Sequence, residues 1–173
     1  GDVTLLSTDK SISISGSATD NIQMHATSYR FAVNSVESQW ISSGEHTIAN
    51  LMPNTLYTAS FEARDRAGNI SRTDMDIYTK AEIPVPDLTA SGETYLILNI
   101  SDSNPAGTEY LISCGEKYVN GDAVLVDFPE WIALDSRTLT VTGLQHNTEY
   151  SFKAKARNYE GEETEYSVPE SRK

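Results

Sequence analysis

The sequence predicts an all-β chain built as two antiparallel sandwiches in tandem. Three observations lead there. The first is a repeat at an offset of 93 residues: IANLMPNTLYTASFEARDRAG at 48–68 returns as VTGLQHNTEYSFKAKARNYEG at 141–161. Seven positions match without a gap, among them Asn54/Asn147, Thr55/Thr148, Tyr57/Tyr150 and Gly68/Gly161. A period this long indicates two copies of one domain and not a solenoid of small units. The second is a period-two pattern of apolar residues with no helical periodicity, as a half-buried antiparallel strand requires. The third is frequent turn punctuation between short runs.

Each element follows from that pattern. Ile12/Ile14, Tyr29/Phe31/Val33 and Tyr57/Ala59/Phe61/Ala63 alternate with polar residues in the first copy. Leu96/Leu98/Ile100, Tyr110/Ile112/Cys114 and Tyr150/Phe152/Ala154/Ala156 do so in the second. The turns are expected at Thr19-Asp20-Asn21, Ser42-Ser43-Gly44, Ala67-Gly68-Asn69 and Asn104–Gly107. Lys117–Val124 reads as a hairpin on a two-residue Asn120-Gly121 type I′ turn, since that pair accepts two positive φ values. The domain boundary is placed in Thr79–Pro86, where Pro84 and Pro86 favour a short, stiff, extended linker. The expected domains are therefore 1–81 and 82–173.

Bulk properties exclude several functions. The 173 residues carry a net charge of −12. No Lys/Arg cluster could neutralise phosphates, so neither nucleic acid nor an anionic membrane surface is an expected partner. No apolar run is long enough to span a bilayer. The chain opens almost directly in the strand-like run Val3–Leu6, as an excised piece of a longer protein or a mature product would. Cys114 is the single cysteine, so no internal disulfide can form.

The strings Leu51-Met52-Pro53-Asn54-Thr55-Leu56-Tyr57 and Leu144-Gln145-His146-Asn147-Thr148-Glu149-Tyr150 resemble the E–F corner of fibronectin type III domains, which reads Leu-x-Pro-x-Thr-x-Tyr. The resemblance implies immunoglobulin-like sandwiches and makes Tyr57 and Tyr150 structural corner tyrosines, each hydroxyl bonding nearby backbone. The Trp this family places on strand B is missing, with Gly16 and Ile100 at the equivalent positions. The first copy is also similar to bacterial immunoglobulin-like modules. The resemblance further implies a bacterial, secreted or cell-surface parent protein with flanking domains as partners, and a monomeric isolated chain.

No catalytic set is present. His25, His46 and His146 lack metal-ligand spacing, and no nucleophile elbow or phosphate loop occurs. No enzyme activity, cofactor or metal is expected. Cys114 aligns with Val33 of the first copy and reads as buried filler. Asp65 and Asn69 read as caps of the F–G turn; a calcium site at Asp65 would lack the six or more oxygens needed. Trp40 either closes the first core, in place of the missing strand B Trp, or forms an exposed platform.

The copies differ most in length between strands C and E. Tyr29 to Tyr57 is 28 positions and Tyr110 to Tyr150 is 40, so the second copy carries 12 more residues there. That segment holds Tyr118, Phe128 and Trp131 beside Asp122, Asp127, Glu130 and Asp135. Aromatic rings next to carboxylates can stack on sugar rings and bond their hydroxyls. They can equally be a longer hairpin covering a sheet edge. The sequence therefore leaves two functions open: a non-catalytic spacer and interaction module positioning neighbouring domains, or a carbohydrate- or protein-binding module using Trp131, Tyr118 and Phe128.

Overall fold

A computed structural model describes residues 2–21, 23–134 and 136–173, and it divides into the units Gly1–Thr79 and Lys80–Lys173. Asp135 of the aromatic segment lies outside the described residues. In the first unit, β1 (Val3–Ser7), β2 (Ser11–Gly16) and β5 (Glu45–Ala49) form one antiparallel sheet in the order β1-β2-β5. The facing sheet has β3 (Met24–Val33), β4 (Val36–Glu37), β6 (Leu56–Asp65) and β7 (Ile70–Tyr78) in the order β4-β3-β6-β7. The alternating residues meet between the sheets: Ile12, Ile14, Phe31, Val33, Ile48, Ala59, Phe61 and Ala63 form the core.

The second unit repeats the plan. Strands β8 (Val85–Ser91), β9 (Tyr95–Ser101) and β14 (Thr138–Thr142) form one sheet, ordered β14-β9-β8. The other runs β12-β11-β10-β15-β16, from β10 (Glu109–Cys114), β11 (Lys117–Val119), β12 (Leu125–Val126), β15 (Tyr150–Arg157) and β16 (Glu170–Arg172). A short β13 (Ile132–Ala133) pairs with the start of β10. Cys114 lies in this core, the place Val33 holds in the first unit, and burial pushes its thiol pKa up.

The chain divides at Thr79/Lys80, and Thr79–Pro86 is bonded into the two units and does not simply span between them. Thr79 closes the first unit: its Oγ1 donates to the Met52 carbonyl at 2.7 Å and its N–H to the Thr55 carbonyl at 3.0 Å. Ala81 is already in the second core, Glu82 N–H donates to Asn104 Oδ1 at 2.7 Å, and Pro86 lies within β8. Proline fits there because β8 is a sheet edge, where one side needs no donor.

The Asn120-Gly121 turn is not the predicted one. The pairs Tyr118↔Val126 and Val119↔Leu125 leave residues 120–124 as the loop. Ala123, at φ 56°, takes the left-handed conformation, and Gly121 does not. Asn120 Oδ1 accepts from the N–H groups of Asp122 and Val124, both at 3.1 Å, so an Asx cap replaces the Asn-Gly turn. The tight hairpin lies earlier: Cys114↔Lys117 closes a two-residue loop with Gly115 at φ 60° in its first position, a type II′ arrangement.

Candidate functional site

The alternation that buries one face of β15 turns Lys153, Lys155 and Arg157 outward, two residues apart. Two aromatic rings lie between these cations. Arg157 stands 4.6 Å from the Trp131 ring centre and Lys155 stands 5.4 Å from it. Lys155 also lies 5.1 Å from Tyr166, and Lys153 lies 4.4 Å from the same ring. Carboxylates flank the row: Arg157 pairs with Glu109 at 2.6 Å, and Lys155 pairs with Glu163. Trp131 is held there by β13, whose register with β10 sets Ile132 opposite Tyr110. That register brings Trp131 beside Leu111 on the face away from the core.

The first unit has the same construction. The bridge Tyr29↔Ile41 corresponds to Tyr110↔Ile132, so Trp40 is the counterpart of Trp131. Trp40 lies between Arg30 at 5.1 Å and Arg64 at 4.3 Å. It is neither in the core nor a bare platform, and both readings of it are corrected. Beside it, Glu62 is nearly buried between Arg30 at 2.7 Å and Arg72 at 3.3 Å. Trp131 is thus not part of what the second copy adds. From the bridge partner tyrosine to the tryptophan is 11 residues in one copy and 21 in the other, so ten of the twelve extra residues precede Trp131. The repeated dipeptide Trp-Ile, at 40–41 and 131–132, was the sequence signal for this equivalence; its offset of 91 hid it behind the repeat of 93.

The three residues proposed as a binding set have different surroundings. Tyr118 is half-buried on β11, opposite Ser113. Trp131 is half-buried among its cations. Phe128 is 80% exposed. It stands between two side-chain ties: Lys117 Nζ to Asp127 Oδ1 at 2.8 Å, and Gly121 N–H to Glu130 Oε1 at 3.1 Å. What the hairpin adds is therefore a presented phenyl ring with acidic flanks.

Tyr57 and Tyr150 each accept a backbone hydrogen bond from five residues upstream, and Asp65 bonds across the turn at 65–69. Met52 N–H donates to Tyr57 Oη at 2.9 Å, and Gln145 N–H donates to Tyr150 Oη at 2.8 Å. Asp65 accepts from the Asn69 amide side chain at 2.6 Å and from its backbone N–H at 2.8 Å. These bonds, the side-chain one foremost, hold the Asp65 carboxyl below its ordinary pKa. In the second unit Asn158 caps the same turn, accepting from the N–H groups of Glu160 and Glu162.

No family model and no curated protein matches the chain. Solved structures do. The two-domain fibronectin type III segment of chicken tenascin superimposes with a TM-score of 0.66 at 16% identity, over 99% of this chain and 97% of that one. The first three fibronectin domains of chicken CNTN1 give 0.39 at 15% identity, and the central fibronectin-III array of RIM-binding protein gives 0.38 at 15%. This chain spans 65% and 56% of those two lengths. The architecture is that of two fibronectin type III sandwiches in tandem.

Proposed function

We propose that the chain is a non-catalytic spacer and interaction module of a larger secreted or cell-surface protein, positioning the domains on either side. The observation that carries this reading is the anchoring of Thr79 in the first unit and of Ala81 and Glu82 in the second. Junction residues bonded into their own units suit a separator, and the outer sheet faces carry rows of cations and rings. Single-molecule pulling tests it. Two separate unfolding events are expected, each releasing on the order of 300 Å of extended chain. A single cooperative event would overturn the reading of two independent spacer bodies.

A second reading is favoured by Phe128 alone: a binding module for a carbohydrate or a protein, using the hairpin of the second unit. Here Phe128 would make the contact, with Trp131 and Tyr118 as the other rings of the same segment. A glycan array probed with the wild-type chain and with Phe128→Ala tests the carbohydrate form. Loss of specific signals in the variant, with an unchanged thermal midpoint, is the supporting result; a blank wild-type array removes it.

A further inference from the structure

The free edge of β7 is unusual in having its natural defences turned away from it. Strand β7 runs nine residues against β6 with no shift of register. It ends the sheet order β4-β3-β6-β7. It contains no proline and no bulge, the common devices that stop an edge from pairing with another chain. Its outer-face charges lean inward over the sheet. Arg72 reaches Ser60 at 2.8 Å and Glu62 at 3.3 Å, Asp74 accepts from Ser60 at 2.6 Å, and Asp76 accepts from Thr58 at 2.7 Å. The second unit treats the same place differently. There β16 is three residues long and follows Pro169. The stretch before it is bonded through the Thr164 and Ser167 hydroxyls, which accept from Ala156 N–H and Ala154 N–H at 3.0 Å.

The hydrogen-bond phase of the open edge can be worked out. Thr79 donates to Thr55 and Asp65 donates to Asn69, so the odd residues of β7 face β6 through the whole register. Ile70, Arg72, Asp74, Asp76 and Tyr78 therefore direct their backbone N–H and C=O groups outward, since the groups alternate along an antiparallel strand.

We propose that β7 pairs antiparallel with β7 of a second copy of this chain, joining two four-stranded sheets about a two-fold axis at Thr73. The register is chosen by charge. An axis at Thr73 pairs Arg72 with Asp74 of the other copy, twice by symmetry. It also pairs Ile70 with Asp76, so all the outward backbone groups from Ile70 to Asp76 find partners. An axis at Asp74 sets two like carboxylates opposite each other, which is unfavourable. The inference does not rest on the spacer reading, and it departs from the monomer expected of the isolated chain. Two chains of net charge −12 repel, so association should strengthen as salt screens them.

Analytical ultracentrifugation of the full chain, at low and high salt and up to about 1 mM, tests this. A dimer favoured by salt is expected. Asp76→Pro, which removes an outward N–H, and Thr73→Lys, which sets two ammonium groups on the axis, should each weaken it at least tenfold while leaving a folded monomer. Thr73→Cys should cross-link on mild oxidation, because non-hydrogen-bonded pairs stand about 4.5 Å apart between Cα atoms, within disulfide range. Should Asp76→Pro unfold the first unit, the lysine variant and the cross-link decide. A monomer throughout, a dimer indifferent to both edge variants, or a Thr73→Cys chain that fails to cross-link would overturn the proposal. So would a monomer that binds only a strand peptide of another sequence.

Discussion

At the scale of single residues, the two copies solve one packing problem in opposite ways. A Cβ added to Gly16 would lie 3.0 Å from the Phe61 ring. In the second copy the same two places hold Ile100 and Ala154, both buried. Volume has moved from strand to facing strand, and in the first copy Phe61 leaves no room at Gly16 for a strand B tryptophan. Gly16→Ile should cost about 1–3 kcal/mol by overpacking, and Phe61→Ala should cost about 3–5 kcal/mol. The double variant should cost at least about 1 kcal/mol less than the sum of the two. Urea titrations of the four proteins measure the coupling, and strict additivity would show that the two sites do not share space. The repeated asparagines have a backbone reason: Asn54 and Asn147 sit at φ 43° and 60°, a region Asn tolerates better than most residues. Behind them stand the corner tyrosines. Met52 and Gln145, their donors, are exposed, so water can partly replace the phenol. Tyr57→Phe and Tyr150→Phe should each lower the stability of their own unit by about 0.5–1.5 kcal/mol. No loss in either thermal scan would show that the corner bonds are idle.

At the scale of elements, the return segment after the β3–β4 hairpin, and after β10–β11 in the second unit, is a shared part with a variable lead. Its tryptophan is clamped on the outer sheet face by two cations in each unit. Each such contact contributes about 0.5–1 kcal/mol at an exposed site. Trp40→Ala and Trp131→Ala should therefore destabilise their units by similar amounts, about 1–2 kcal/mol, and Phe128→Ala by almost nothing. A Trp131 variant as stable as the parent would mean that the ring is merely displayed, and would return it to the binding set.

At the scale of the whole molecule, the units should fail at opposite ends of the pH range. In the first, bonds to Asp65 from Asn69 and to Asp74 from Ser60 and Arg72 depress both carboxyl pKa values. A depressed native pKa contributes stability above the unfolded value, and that stability is lost as pH falls below about 4. In the second, burial, aided by the charge of Asp102, raises Tyr110 to about 12. The native state then keeps a proton that the unfolded chain loses near pH 10. Stability is full below that and falls by as much as about 2–3 kcal/mol as pH rises toward 12. Methyl-resolved NMR melts at pH 3, 7 and 11 separate the units. Equal losses in both at pH 11 would contradict this assignment.

The sequence by itself determined the class, the tandem copies, the core faces, the corners, the capped F–G turn and the buried place of Cys114. All of these are local or periodic: alternation places a residue on one face, and a left-handed position favours Asn or Gly. Only the tertiary structure decided the rest. That Trp131 matches Trp40 depends on bridges to Tyr110 and Tyr29 from far along the chain, which insertions in the hairpin obscure. That Asn120-Gly121 forms an Asx-capped loop depends on Gly115 having already turned the chain and set the register. That Thr79–Pro86 is bonded into the two units depends on Met52, Thr55 and Asn104, distant residues whose polar groups Thr79 and Glu82 satisfy. Periodicity reports which way a side chain faces; it carries no information on which distant backbone group is left to be satisfied.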